Sequence, residues 1–146
     1  MQFMTVYLNF NGDAEEAFAF YRTVFGGEFD GMLRFRDFGE DAMGVPEADR
    51  EKIAHVSLPL SGGVGLMGSD VAGEQADGFV AGNNVYIYLE AESAAEAERI
   101  FEGLSEGGTV EMPLQSTEWA EKYASLVDRF GVPWIVSFTG DVQFSL

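Results

Sequence analysis

The chain contains a single histidine, His55, in a stretch whose alternating pattern predicts a β-strand. His55 shares one side of residues 53–60 with Ser57, whereas the other side carries only apolar residues: Ala54, Val56, Leu58 and Leu60. Because the apolar side should pack against a helix, the imidazole should point away from it. There it could act as a general base or hydrogen-bond a ligand near neutral pH. The alternative is a half-buried histidine satisfied by a neighbouring hydroxyl or backbone group.

Glu118 is the second candidate for acid–base chemistry, because it directly precedes Trp119. A carboxyl group beside an indole loses solvation, and this raises its pKa toward the range that is useful in catalysis. The alternative is an ordinary exposed carboxylate.

Polar side chains also alternate with apolar ones in two further stretches. Tyr7 and Asn9 do so within residues 5–10, and Asn84, Tyr86 and Tyr88 do so within residues 84–90. Phenols and amides in such positions can orient a polar ligand in an otherwise apolar pocket. They are also common on half-exposed strands that bind nothing.

Two arginines, Arg34 and Arg36, are predicted to share one face of a strand at residues 31–38. Together they could bind an anionic ligand as a fork. The alternative is ion pairing with some of the many nearby acidic residues.

The elements that must position these residues follow a repeated order. A strand at residues 5–10 leads into a helix at 14–25, and a strand at 84–90 leads into a helix at 94–105. Each helix opens with a capping-box pattern, Asp13 with Glu16 and Ser93 with Glu96, and each ends at a Gly-Gly pair. Further strands are expected at 31–38, 53–60, 64–69, 109–112 and 133–138.

The repeat predicts the order β-α-β-β-β written twice, an α+β fold. We expect one domain over residues 1–146, with module one at 1–70, a glycine-containing linker at 71–82 and module two at 83–146.

Several motifs, spread over nearly the whole chain, resemble those of a known family. They are residues 7–18, Phe20-Tyr21 with residues 25–27, residues 55–58, 67–70 and 112–115, Trp119, and residues 128–134. On these motifs the chain resembles the vicinal oxygen chelate superfamily of glyoxalases, bleomycin-resistance proteins and extradiol dioxygenases, and within it the PhnB-like branch. The resemblance implies two βαβββ modules whose mixed sheets curl around a concave cavity. It also implies homodimers with pockets at or near the subunit interface.

The resemblance also places the segment of Glu118, Trp119 and Tyr123 beside the pocket. Relatives carry an aromatic residue before the tryptophan and small residues after it, whereas this chain has Glu118 before it and Glu121-Lys122 after it. This departure argues against a shared substrate. We expect Trp119 to form a pocket wall or a subunit contact.

Metal-dependent members of the superfamily hold a cation with His or Glu side chains from four strands. Carried over to this chain, those positions fall on Thr5 or Val6, Leu66 or Met67, Asn84, Val85 or Tyr86, and Trp134 or Ile135. None of these is a His, Glu, Asp or Cys residue, the usual protein ligands of such cations. We therefore expect neither a metal ion nor another cofactor.

Members of the branch are sometimes labelled demethylubiquinone methyltransferases. A methyltransferase of the common kind would show a glycine-rich loop between a strand and a helix of a doubly wound sheet. The glycine pairs of this chain follow helices instead, so the sequence gives that activity no support.

The composition is strongly acidic, with 25 Asp and Glu residues against 8 Lys and Arg and a net charge of -17 at pH 7. This charge argues against nucleic acid or an anionic membrane as a partner. The chain has no cysteine, and no apolar run approaches the roughly 20 residues of a membrane-spanning helix. We expect a soluble, cytoplasmic protein.

The predicted function is the binding of a small organic molecule in a metal-free cavity of a homodimer. The expected ligand-binding residues are Tyr7, Asn9, His55, Asn84, Tyr86, Trp119 and Tyr123. One alternative is a lyase, isomerase or dioxygenase-like enzyme that uses His55 and Glu118 or a divalent metal at an unplaced site. Another is a dimeric module without a ligand.

The acidic residues are spread along the chain, and one interpretation is a surface adapted to high salt, where screening relieves self-repulsion. The alternative is an ordinary acidic, soluble protein. We expect the melting temperature, measured by scanning calorimetry, to rise as KCl is added. A melting temperature that stays level or falls would show that the acidity carries no salt requirement.

Overall fold

The structure is a computed structural model that describes residues 1–143. The chain divides into two compact units, Met1–Val80 and a second unit that begins at Ala81. Within residues 1–143, no helix combines the length and the apolar character that crossing a bilayer requires.

The first unit contains a mixed four-stranded sheet in the order β1-β4-β3-β2, with β1 parallel to β4 and the other pairs antiparallel. Its strands are β1 (Val6–Phe10), β2 (Gly31–Arg34), β3 (Ile53–Pro59) and β4 (Gly65–Asp70). Its helices are α1 (Ala14–Phe25) and the single turn α2 (Glu74–Asp77), with 3-10 turns at Phe35–Phe38, Ala42–Gly44, Glu47–Asp49 and Ser61–Gly63.

The second unit repeats this arrangement with the strand order β5-β8-β7-β6, in which β5 is parallel to β8. Its elements are β5 (Ile87–Glu90), α3 (Ala94–Ser105), β6 (Thr109–Gln115), β7 (Lys122–Val127) and β8 (Pro133–Phe138). The predicted α+β fold with two βαβββ modules is therefore confirmed, and neither sheet closes on itself.

Each long helix covers one face of its sheet with residues at helical spacing. The residues that α1 buries are Ala14, Ala17, Phe18, Tyr21 and Val24, and those that α3 buries are Ala97, Ile100 and Leu104. The contact between α1 and the first sheet is close at Gly68, where a Cβ atom would lie 2.8 Å from Cε2 of Phe18. Only glycine leaves room for the Phe18 ring at this point of β4.

The buried carboxylate of Asp70, at the end of β4, holds the start of α1 in place. Its Oδ1 accepts hydrogen bonds from the backbone N–H groups of Gly12 (2.8 Å) and Ala14 (3.0 Å), and its Oδ2 accepts one from Ile53 (2.9 Å). The predicted capping role of Asp13 is wrong, because its side chain makes no capping hydrogen bond. The cap comes from a strand 56 residues away in sequence.

Helix α3 is capped by residues next to it in sequence, as predicted. The Ser93 hydroxyl accepts a hydrogen bond from the Glu96 amide at 3.0 Å, while the Glu96 carboxylate accepts one from the amide of Glu92 at 2.6 Å. A second buried carboxylate, Asp128, organises the predicted turn into β8. It accepts from the amides of Phe130 (2.8 Å) and Val132 (3.1 Å) and from Nε1 of Trp134 (2.9 Å).

Several predicted strand boundaries need correction. The strand predicted at residues 84–90 begins only at Ile87, which is the first residue that pairs with β8. The pairing does not extend to Tyr86, because Pro133 at the start of β8 has no N–H to donate to a further hydrogen bond. The strand predicted at 31–38 ends at Arg34 and continues as a 3-10 turn. In the other direction, β6 extends to Gln115, and the segment after it contains the full strand β7.

The Asp70 cap generates a stability prediction. In Asp70→Asn one carboxylate oxygen becomes an amide donor that faces backbone N–H groups, so at least one buried donor loses its acceptor. We expect a loss of about 3 kcal/mol in the free energy of unfolding, measured by urea titration. The matched variant Asp13→Asn should lose less than about 0.5 kcal/mol. Equal losses in the two variants would contradict the assignment of the cap to Asp70.

Candidate functional site

Each sheet has one face covered by its helix and one face that the helix leaves uncovered. We call the uncovered face of the first sheet the first open face. The register pairs Tyr7 with Met67, Met67 with Ser57, and Leu33 with His55, so these side chains lie on the same side. The first open face consists of Tyr7, Asn9, Leu33, His55, Ser57, Met67 and Ser69.

Tyr7 and His55 form a direct hydrogen bond on this face. The Tyr7 hydroxyl lies 3.1 Å from Nδ1 of His55, and the two rings stack with centroids 5.7 Å apart. The tautomer with its proton on Nε2 makes Tyr7 the donor. Nε2 has no partner within residues 1–143, and Tyr7 keeps 46% of its surface exposed. The pair therefore presents one ring nitrogen and a phenol to the solvent.

A cleft of about 270 Å³ opens beside this pair. It shares Ser57 and Met67 with the first open face, and Met67 is the residue that β4 places directly beside Tyr7. Its other lining residues are mostly apolar: Phe3, Met4, Thr5, Pro59, Gly63, Val64, Gly65 and Leu66. An apolar cleft with a few polar groups at its side is the usual form of a small-molecule site.

Asn9 lies on the same face, at the far end of β1. Its amide oxygen accepts a hydrogen bond from the Ser69 hydroxyl at 3.2 Å. The structure thus brings Tyr7 and His55 into contact, and it leaves Asn9 engaged with a neighbouring strand.

The uncovered face of the second sheet, the second open face, has a different chemical character. The register places Glu90 and Tyr123 on either side of Ser137, and Tyr88 beside Ile135. The second open face consists of Tyr88, Glu90, Tyr123, Ser125, Ile135 and Ser137.

Glu90 is the charged group of the second open face and lies at the end of the edge strand β5. Its Oε1 accepts a hydrogen bond from the Thr139 amide at 2.6 Å, and its Oε2 accepts one from the Tyr88 hydroxyl at 2.8 Å. Burial alone would raise the pKa of the Glu90 carboxyl. Hydrogen bonds from the Thr139 hydroxyl and amide, and from the hydroxyls of Tyr88 and Ser137, outweigh it and hold the pKa below its ordinary value of 4.5. Burial, together with the neighbouring carboxylate, raises the pKa of Tyr88.

Trp119 and Tyr123 lie together in the second unit. Their rings meet edge to face, with centroids 5.3 Å apart. Trp119 is 41% exposed, and its neighbour Glu118 is exposed on the same loop. His55 belongs to the first unit and Glu118 to the second, so their joint role in acid–base chemistry stays a prediction.

Asn84 and Tyr86 precede β5 and are exposed. The Tyr86 hydroxyl donates a hydrogen bond of 2.7 Å to Glu111 of β6, and this bond raises the pKa of Tyr86. β5 and β6 are the two edge strands of the second sheet. The hydrogen bond therefore connects the segment that precedes β5 with the opposite edge strand β6.

The two arginines predicted to share a strand face do not do so. Arg34 ends β2, whereas Arg36 lies in the following 3-10 turn. Both pair with acidic side chains: Arg34 with Glu15, and Arg36 with Glu51. The ion-pairing alternative is therefore the correct one.

Comparison with known proteins assigns the family. A family model described as 3-demethylubiquinone-9 3-methyltransferase matches residues 2–137. The chain belongs to this family. It is 37% identical to protein PA1353 from Pseudomonas aeruginosa over 97% of this chain and 100% of that one, with a TM-score of 0.82. It is 27% identical to a PhnB protein from Bacillus cereus, a putative 3-demethylubiquinone-9 3-methyltransferase, over 94% and 99% of the two chains, with a TM-score of 0.73.

The predicted PhnB-like branch is thus confirmed, and a more distant structure supports the superfamily fold. A glyoxylase/bleomycin resistance protein/dioxygenase domain from a Frankia species shares 14% identity over 96% of this chain and 98% of that one, with a TM-score of 0.67. The fold of this PhnB-like chain, two mixed four-stranded sheets, also differs from the doubly wound sheet of a common methyltransferase.

The positions that hold a metal in other superfamily members do not suit one in this PhnB-like protein. The Thr5 hydroxyl donates to the Gly65 carbonyl at 3.2 Å, Met67 offers only a thioether, and Trp134 is buried with its Nε1 bonded to Asp128. In the part of the chain that the structure describes, no three His, Cys, Asp or Glu side chains come together in a way that could hold a metal ion.

The predicted ligand-binding set leaves out Tyr88, although the alternation already places it on one face with Asn84 and Tyr86. Glu90 was not predicted at all. Following the period of two one step further, to the end of the strand, would have added Glu90 to this face.

Glu90 generates a prediction about pH. Because its pKa is lower in the folded chain, ionised Glu90 stabilises the fold above about pH 4.5, and this contribution is lost as the pH falls through the folded pKa. The difference in free energy of unfolding between the wild type and Glu90→Gln, from urea titrations, should be largest near neutral pH and shrink below pH 4.5. Glu102→Gln, which removes an equal charge from an exposed position of α3, is measured in parallel as the control for net charge. A difference for Glu90→Gln that is independent of pH would contradict the assignment.

Proposed function

We propose that this PhnB-like protein binds a small organic molecule, without a metal ion, in the cleft beside Tyr7 and His55. The observation that carries the proposal is the hydrogen bond between Tyr7 and His55 at the side of a largely apolar cleft of about 270 Å³. The cleft offers apolar contact, and the bonded pair offers a phenol and an imidazole nitrogen to a polar group of the ligand.

The chemistry of the lining defines the ligand class. Met4, Val64 and Leu66 favour an aromatic or branched apolar body. Nε2 of His55, a donor in the tautomer that accepts from Tyr7, suits a carbonyl, carboxylate or hydroxyl oxygen. A small aromatic compound or an amphipathic organic acid therefore fits the cleft best.

The proposal includes a cytoplasmic homodimer. Support comes from the superfamily resemblance and from apolar side chains that stay exposed at the cleft, with Phe3 at 73% and Met4 at 86%. Apolar groups of this size usually meet a partner surface or a ligand. Light scattering of the purified protein should give twice the chain mass of 16.0 kDa, and a mass of one chain would contradict the dimer.

The second candidate function is catalysis by His55. The specific observation in its favour is that Tyr7 orients the ring through Nδ1 while Nε2 has no protein partner within the described residues. A ring held in this way can transfer a proton to or from a bound substrate. Turnover of a bound compound that disappears in His55→Asn would favour this candidate over binding alone.

The binding proposal is tested by a thermal-shift screen of small aromatics and organic acids on metal-free protein. At a ligand concentration of roughly 100 times Kd, a true ligand should raise the melting temperature by about 5 to 10 °C. Tyr7→Phe and His55→Asn should weaken binding about tenfold, because each loses a hydrogen bond to the ligand or to its partner. Glu102→Gln, at an exposed position of α3, serves as the control and should bind the ligand like the wild type.

Three results would contradict this proposal. They are a broad screen without a ligand, binding that requires an added divalent metal, and equal affinity in the wild type, Tyr7→Phe and His55→Asn.

A further inference from the structure

Glu90 on the second open face is an exposed carboxylate without a basic partner in the part of the chain that the structure describes. Its hydrogen-bond donors are all neutral: the Thr139 amide bonds Oε1, the Tyr88 hydroxyl bonds Oε2, and the hydroxyls of Thr139 and Ser137 also interact with the carboxylate. The group is therefore a negative charge that no basic side chain of the described residues neutralises.

Aromatic side chains lie on the same side of the sheet as this charge. Tyr88 is bonded to Glu90 and is 56% exposed, and Tyr123 stands two strands away across the buried Ser137. Two strand spacings put the backbones of Glu90 and Tyr123 roughly 10 Å apart. Trp119 extends the aromatic surface, because its ring meets that of Tyr123.

We propose that the second open face binds the ammonium group of a small organic amine between the Glu90 carboxylate and the rings of Tyr88, Tyr123 and Trp119. A cation placed over an aromatic face is attracted by the ring quadrupole, and a neighbouring carboxylate adds direct charge attraction. The proposal stands on residues of the second unit and does not depend on the cleft beside Tyr7 and His55.

The negative charge of the protein and of residues in the second unit favours the binding of a cation over that of an anion. The net charge of -17 attracts cations to the protein in general. A second phenol–carboxylate pair, Tyr86 with Glu111, adds negative charge from the edge strand β6. One carboxylate beside aromatic rings suits a large, weakly hydrated ammonium group, whereas a divalent metal ion requires more oxygen or nitrogen ligands.

Isothermal titration of the wild-type protein with choline, and separately with its neutral carbon isostere 3,3-dimethylbutan-1-ol, tests the charge dependence. The two compounds have the same shape, and only choline carries a positive charge. We expect choline to bind with one site per chain and at least about tenfold more tightly than the isostere. Equal affinity for the two compounds, or no measurable choline binding, would overturn the proposal.

Variants then locate the site. Glu90→Gln keeps an oxygen that can accept from the Thr139 amide and removes only the charge, so it should weaken choline binding about tenfold. Trp119→Leu should weaken it several-fold. Glu102→Gln, which removes an equal charge from an exposed position of α3, should bind choline like the wild type.

Two further results complete the test. Wild-type affinity in Glu90→Gln, or an equal loss in Glu102→Gln, would mean that choline responds only to the overall charge and would overturn the assignment. His55→Asn should leave choline binding unchanged. Thermal melts of every variant identify any that fails to fold. Choline binding to Tyr88→Phe, which keeps the ring but removes the hydroxyl that donates to Oε2 of Glu90, is an independent second measurement of the site.

Discussion

One buried carboxylate ties together the elements on which the first open face depends. Asp70 binds the backbone at the start of α1 and at the start of β3, while its own strand β4 separates β1 from β3. Tyr7 and His55 stand on those two flanking strands, so their hydrogen bond requires both strands to keep their register against β4. Because the carboxylate is buried and fully engaged, loss of its charge would loosen the helix and both strands at once.

The regular elements of the fold were predictable because short-range patterns encode them. Alternation at residues 5–10 and helical spacing at 14–25 and 94–105 each reflect burial of one side. Contacts between distant residues were not predictable in this way. Asp70 follows a strand and reads locally as a loop residue, and Arg36 leaves the strand because the chain turns at Phe35. The pairing of Tyr7 with His55 required the sheet order, which periodicity does not give.

The two units share a topology and differ in what their open faces can recognise. The first presents a phenol bonded to an imidazole beside apolar side chains, whereas the second presents a carboxylate bonded to a phenol. The positions that hold a cation elsewhere in the superfamily carry no His, Cys, Asp or Glu side chain in either unit. Duplication of one module thus provides two similar frameworks whose surfaces have diverged in charge, with Asp70 and Asp128 as a buried carboxylate in each.

The first strand of each unit lies at the edge of its own sheet, and this position affects how the faces can respond to a bound molecule. β1 carries Tyr7 and β5 carries Tyr88 and Glu90, and within its sheet each strand is held by one neighbour, β4 or β8. Strands held on one side give way to small displacements more readily than central strands. Tyr7, Tyr88 and Glu90 therefore stand on border strands, whereas their partners His55 and Tyr123 stand on the inner strands β3 and β7, so a displacement of either border strand would change the spacing of the groups that meet a bound molecule.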